Sequence, residues 1–279
     1  MKGHMSRGEL AALICKRLKA EKAALAAEFD SRDRIPSATL DDLLPAQEAK
    51  AIFERFPKPE AMMLKSSIKE RKHVGFRLCD FDPLIEEIVY AFQDPRVVAL
   101  VAEITRFSGL EPDAELYAGG VSLMSSGGYL RPHLDNSHHK DGQRYRALNL
   151  LYYVTPDWCE AFGGAFQLWD HGPKGPPRTI QNVFNRLVLM ATNRASWHSV
   201  SEITGEVPRC CVSNYYFSAV APDEHDYFHC TTFRSEAGAR PIEDVVMRAD
   251  NFARTAILRL APGLYRNPHV YAAEDSERR

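Results

Sequence analysis

The stretch from about residue 114 to 220 constrains the fold more than any other part of the chain. "ELYAGGVSLM", "YRALNLLYYV", "GGAFQLWD", "RLVLMA" and "RCCVSNYYFSAV" are short β-branched or aromatic runs, separated by Gly, Pro, Asn and Asp. Such side chains suit a half-buried pleated surface, and the residues between them suit turns. Several short strands in this rhythm predict an antiparallel sandwich or barrel. The flanks read as helix. Leu10, Ile14, Leu18 and Leu25 fall near helical spacing within residues 8–29. Asp82-Pro83 and Asp94-Pro95 each set an N-cap acceptor before proline at a first helical position. Ile242, Val245, Val246, Ala249, Ala253, Ile257 and Leu260 form one stripe, opened by Pro241 and closed by Pro262-Gly263. The expected class is mainly β with flanking helices (α+β). Its parts are a helical region over 1–113 packing on the core, a β core over 114–220 and a helical extension over 221–279, all in one compact domain.

Charge narrows the partners. With 35 basic and 37 acidic residues the formal net charge is -2, which gives no field drawing the chain to nucleic acid or an anionic membrane. Six cysteines stand without any C-x-x-C pair, so neither a disulfide framework nor a structural zinc site is expected. The N-terminus lacks the apolar stretch of a signal peptide and no run reaches membrane-spanning length, so a cytoplasmic setting is expected.

"YLRPHLDNSHH", residues 129–139, carries the chemistry. In an extended segment His133 and Asp135, two apart, face the same side and can share a cation. The competing reading is a surface His and Asp in a loop. A third ligand is needed, and His198 in "NRASWHSV" is the best candidate. Two histidines and one carboxylate on one side of a metal leave positions open, an arrangement suited to Fe(II). His138 and His139 lie in a polar loop and are expected off the metal. His225 and His229, four apart, lack a third ligand nearby.

Arg209, in "EVPRCCVSNYYFS", heads a strand whose alternate residues are Cys211, Ser213, Tyr215 and Phe217. A guanidinium is costly to bury unless it meets an anion, and its planar fork suits a carboxylate. Ser213 is placed to donate to the same group.

Taken in order, His133/Asp135, "NLLYYVTPDW", "FGGAFQLWD", His198 and Arg209 resemble the Fe(II)/2-oxoglutarate-dependent oxygenases, specifically their prolyl-4-hydroxylase-like branch, over residues 120–218. The resemblance implies a double-stranded β-helix, or jelly-roll, core. It implies that His133, Asp135 and His198 bind Fe(II) and that Arg209 pairs with the distal carboxylate of 2-oxoglutarate. Tyr153 is expected to hydroxyl-bond that carboxylate, with Tyr152 turned to the opposite face, and Asn149 shares the Tyr153 face toward the cosubstrate pocket. With O2 as the third reactant, and ascorbate as a candidate stimulant, such an enzyme is a dioxygenase that hydroxylates an unactivated C–H bond and releases succinate and CO2. Related halogenases replace the carboxylate ligand with a small residue, so Asp135 favours hydroxylation.

Substrate residues are sought around the metal motif, at Tyr129, Arg131, Asn136 and Tyr215. The run Lys65, Lys69, Arg71, Lys72 is a candidate for binding an anionic substrate, but a charge run of this kind is more often a solvated face, and that is the expectation. A small molecule such as an amino acid, a natural-product intermediate or a sugar-linked metabolite is the leading substrate class. The alternatives are a prolyl-type protein side-chain hydroxylase, a jelly-roll ligand sensor that binds metal without turnover, and a cupin-type metalloenzyme that needs no Arg209. The extension over 221–279 is compatible with covering the site or with a homodimer.

Overall fold

The computed structural model describes residues 4–117, 119–140, 142–222, 227–236 and 241–260. Its helices are α1 (Arg7–Phe29), α2 (Ala46–Glu54), α3 (Pro83–Ala91), α4 (Pro95–Thr105) and α5 (Pro241–Leu260). Its strands are β1 (Ser37–Leu40), β2 (Met63–Ser66), β3 (Glu70–Gly75), β4 (Leu110–Pro112), β5 (Gly120–Met124), β6 (Tyr129–Leu134) and β7 (Tyr145–Tyr153). They continue as β8 (Phe166–Leu168), β9 (Arg178–Ile180), β10 (Arg186–Ala191), β11 (His198–Val200), β12 (Arg209–Ser218) and β13 (Thr232–Phe233).

The strands form one antiparallel sheet in the order β1-β10-β7-β12-β5-β3-β6-β11-β8-β9. It curls on itself. Tyr153 of β7, Val188 of β10 and Cys211 of β12 share an apolar cluster with Leu130 of β6, Phe166 of β8 and Val200 of β11. Residues from opposite ends of a flat sheet would not meet, so this cluster defines the inside of a jelly roll. The alternate residues Tyr152, Cys210, Val212 and Tyr216 point outward and pack with Leu10, Ile14, Leu18, Ile88 and Val101 of the helical layer. Period-2 alternation along β7 and β12 thus separates a helix-packed face from the site-bearing face.

The helix starts are those expected. The carboxylates of Asp82 and Asp94 accept from the amides of Leu84 and Arg96, each at 2.9 Å.

Two expectations need correction. The region before residue 114 is not only helical: it supplies four strands, and β3 lies between β5 and β6, well inside the sheet. Its "KERKHVG" is too charged to read as strand from sequence, because the charges fall on a cavity rather than a dry core. The stripe on α5 is also reversed. Ile242, Val245 and Val246 are exposed, whereas Met247 is fully buried. Polar contacts turn the helix: Asn251 Oδ1 accepts from Thr232 at 2.8 Å, and Asp250 pairs with Lys69 at 2.5 Å. The side chains of Ile257 and Leu260, and Pro262-Gly263 and His225, lie outside the described residues.

Candidate metal centre and its cavity

β6 and β11 pair so that His133 stands opposite His198. Their ring centroids are 4.0 Å apart. Asp135 follows the end of β6, with its carboxylate oxygens 3.7 Å from His133 Nε2 and 3.6 Å from His198 Nε2. One donor atom from each of the three residues falls within 4.8 Å of the others. Both Nδ1 atoms are engaged, His133 with the Arg131 carbonyl at 3.0 Å and His198 with the Ser196 carbonyl at 2.8 Å. That fixes the proton on Nδ1 and leaves each Nε2 lone pair facing the carboxylate, as metal ligation requires.

Electrostatics prepare the same donors. Burial, reinforced by His198, lowers the His133 pKa to about 3, and burial also lowers that of His198, so both imidazoles are neutral. Burial alone would raise the Asp135 pKa, but the Arg146 guanidinium, with the Asn149 hydrogen bond, outweighs it and holds the group ionised. Two neutral imidazoles and one carboxylate fit a divalent cation such as Fe(II).

On the same inner face, the Arg209 guanidinium lies 4.7 Å from the centre of the Tyr153 ring. Both residues are buried, and Arg209 Nε and the Tyr153 hydroxyl have no hydrogen-bond partner among the described residues. Unsatisfied buried donors are expensive, and a carboxylate such as that of 2-oxoglutarate would satisfy them. Ser213 shares this face; its Oγ meets Cys211 Sγ at 3.7 Å. Asn149, expected toward the cosubstrate, instead donates to Asp135 Oδ2 at 2.7 Å. Its Nδ2 orients the carboxylate ligand, while its Oδ1 is buried without a hydrogen-bond partner among the described residues.

The turn before β8 packs close to Arg209: a Cβ on Gly164 would stand 3.3 Å from its Cδ. Gly163 has φ 69°, and a Cβ there would stand 2.1 Å from the Glu202 carbonyl oxygen. Only glycine allows the chain to pass so close to the loop between β11 and β12.

A cavity of about 400 Å³ opens beside His133 and Asp135. Asn136 and Tyr215 line it, as expected for substrate residues. Tyr129 and Arg131 do not. The Tyr129 hydroxyl donates to the Ser67 carbonyl at 2.8 Å, and Arg131 pairs with Glu236 at 3.1 Å. A guanidinium with a half-exposed carboxylate at hand gains more there than desolvated in a cavity.

One cavity feature was missed from sequence, and another was the second of two readings. Arg146 is fully buried, with Nη1 3.2 Å from Asp135 Oδ2 and its guanidinium 4.3 Å from the centre of the Tyr215 ring. Alternation from Asn149 and Tyr153 would send residue 146 outward. However, Tyr216 pairs with Leu148 and Phe217 with Arg146, so Ala147 is an extra residue that returns Arg146 to the inner face. Secondly, Lys65, Lys69 and Lys72, expected on a solvated face, line the cavity. The lining positions alternate within each arm of the hairpin, as 65, 67, 69 and then 70, 72, 74, with the phase reset at the turn.

Residues 119–217 match the family model of the 2OG-Fe(II) oxygenase superfamily. A curated relative, prolyl 3-hydroxylase OGFOD1 of Mus musculus, is 26% identical over 95 residues, covering 32% of this chain but only 17% of the relative. Among solved structures, a Pseudomonas putida prolyl-4-hydroxylase aligns with TM-score 0.50 and 16% identity, over 71% of this chain and 98% of that one. A Phytophthora capsici prolyl 4-hydroxylase aligns with TM-score 0.54 and 17% identity, over 91% of this chain and 77% of that one. The match to the 2OG-Fe(II) oxygenase superfamily thus covers residues 119–217, and the solved structures share the fold. The cofactors of that superfamily are Fe(II), 2-oxoglutarate and O2. Among the described residues, no helix is long and apolar enough to cross a membrane.

Proposed function

We propose that this protein is a 2-oxoglutarate-dependent dioxygenase that hydroxylates a C–H bond of a small molecule. The observation that carries the reading is the alignment of three elements on one inner face. These are the His133, Asp135 and His198 donors, the unsatisfied Arg209–Tyr153 pair, and a cavity beside the first two ligands. Bound Fe(II), 2-oxoglutarate and O2 would supply the oxidation. The chain supplies position and charge. His133, Asp135 and His198 hold the metal, Asn149 and Arg146 fix the Asp135 carboxylate, and Arg209 with Tyr153 anchors the distal carboxylate of the cosubstrate.

A small substrate is favoured because the C-terminal extension walls the cavity: Thr231, Phe233 and Arg254 join its lining. Phe233 stacks on the His133 ring with centroids 5.2 Å apart. A prolyl side chain on a protein is the second reading, favoured by the mouse relative, which is named as a prolyl 3-hydroxylase.

The test is an anaerobic titration of Fe(II) and 2-oxoglutarate into the protein, following the visible metal-to-ligand charge-transfer band. His198→Ala and Arg209→Ala are run in parallel, and succinate release is then screened against candidate substrates. A band in the wild type that both variants weaken supports the oxygenase. Iron binding without a band points to a metal site that does not chelate 2-oxoglutarate.

A further inference from the structure

Lys65 and Lys72 stand directly opposite each other across the β2–β3 hairpin. Like charges in that position repel, and a hairpin selected for stability alone would not keep them. Both line the cavity, together with Ser67, Glu70 and Val74, which are the same-face residues of the two strands. Glu70 offers one carboxylate, 3.0 Å from Lys72, so a single negative charge serves two ammonium groups.

The rest of the wall adds to the imbalance. Lys65, Lys69, Lys72, Arg146 and Arg254 all line the cavity, against the carboxylates of Glu70 and Asp135. Asp250 pairs with both Lys69 and Arg254, at 2.5 and 2.8 Å, and so neutralises only one of them. Arg146 spends Nη1 on Asp135, while its Nε and Nη2 are buried without a hydrogen-bond partner among the described residues; Arg254 Nη2 has none there either. Burial, reinforced by Lys72, lowers the Lys65 pKa to about 8, as expected of a cation held in a cavity with too few anions. A concave site with surplus positive charge and unsatisfied donors is built for an anion.

We propose that Lys65 and Lys72, with Arg146, recognise an oxyanion carried by the substrate, a carboxylate or a phosphate, and so hold the substrate beside the metal centre. The proposal rests on the oxygenase reading for the reaction performed there, but the anion site itself does not depend on it. Lys65 is the selective element. It projects from the hairpin's edge strand and, among the described residues, shares Glu70 with Lys72 rather than having a carboxylate of its own, so the substrate's anion becomes its counterion.

Calorimetric titrations with hexanoate, butyl phosphate and the neutral hexanamide test the proposal. Each probe is added to the metal-free protein and, anaerobically, to the protein loaded with Fe(II) and 2-oxoglutarate. At least one anion is expected to bind at least tenfold more tightly than hexanamide, and the preferred anion identifies the source of the charge. Lys65→Met should lower that anion's affinity about tenfold, Lys65→Arg should restore most of it, and hexanamide binding should not move. The charge-transfer band should be the same in all three proteins. Equal binding of anion and amide, or an anion affinity unchanged by Lys65→Met, overturns the proposal. So does loss of the band as the anion is added, because the basic wall would then be serving 2-oxoglutarate. Absence of the band in every protein, with Lys65-dependent anion binding intact, defeats the oxygenase reading and leaves the anion site standing.

Discussion

Arg146 and Asp135 form an ion pair inside the protein, with Nη1 3.2 Å from Oδ2. Asn149 donates to the same oxygen at 2.7 Å. Each partner compensates a charge that burial penalises, and together they set the angle at which the carboxylate meets the two imidazoles.

Arg146→Met should therefore destabilise the metal-free protein by about 3–5 kcal/mol, because it leaves a buried carboxylate without its counterion. A divalent cation at the three ligands would supply the missing positive charge. Urea unfolding with and without Mn(II) as an oxygen-stable probe checks this: the metal should stabilise the variant more than the wild type. Equal stabilisation of both would show that Arg146 does not neutralise Asp135.

Asn149→Ala removes an orienting hydrogen bond but no charge. Outer-shell changes of this kind cost about 10- to 100-fold in metal affinity. Competition titration against a chromophoric chelator measures the loss, and 2-oxoglutarate affinity at saturating metal should change much less. The opposite pattern would return Asn149 to the cosubstrate.

Arg209→Ala should weaken 2-oxoglutarate binding by about 10- to 150-fold, and Tyr153→Phe by about fivefold. A hydrogen bond to a charged partner is worth about 1.5–3 kcal/mol and a single hydroxyl about 1 kcal/mol. The charge-transfer band, titrated anaerobically with 2-oxoglutarate, reads both. Burial raises the Tyr153 pKa, with Arg209 opposing, so the phenol remains a proton donor throughout the accessible pH range.

Lys65 gives a pH signature. Its folded pKa is lowered to about 8 by burial and Lys72, with Glu70 opposing, whereas the unfolded side chain titrates near the ordinary lysine value of 10.5. Between these values the unfolded state binds more protons, so this group makes stability rise as pH increases from about 8 to 10.5. Below about 8 the buried ammonium is a cost. Lys65→Met should stabilise the protein at pH 7, and its advantage over wild type should shrink as pH rises through that window. Urea midpoints at pH 7, 9 and 10.5 measure the difference; a constant gap would mean that Lys65 is solvated.

Much of this protein was legible in its sequence, for local reasons. Alternation along β12 put Arg209 and Ser213 on one face, the turn residues marked the strand ends, and Asp82-Pro83 and Asp94-Pro95 marked two helix starts. These features depend on neighbours within a few residues, so residue type and spacing suffice. What tertiary structure alone decided depends on long-range register. The pairing of β6 with β11 brings His198 opposite His133. One extra residue at Ala147 turns Arg146 from the helical layer to the metal, although its sequence parity points outward. β3 enters the sheet between β5 and β6, which converts a charged run with the look of a solvated face into the wall of the cavity. α5 buries Met247 rather than its apolar stripe because Asp250 and Asn251 find partners on Lys69 and Thr232. Composition along the chain records what each residue prefers, but only the closed sheet determines which of those preferences are met.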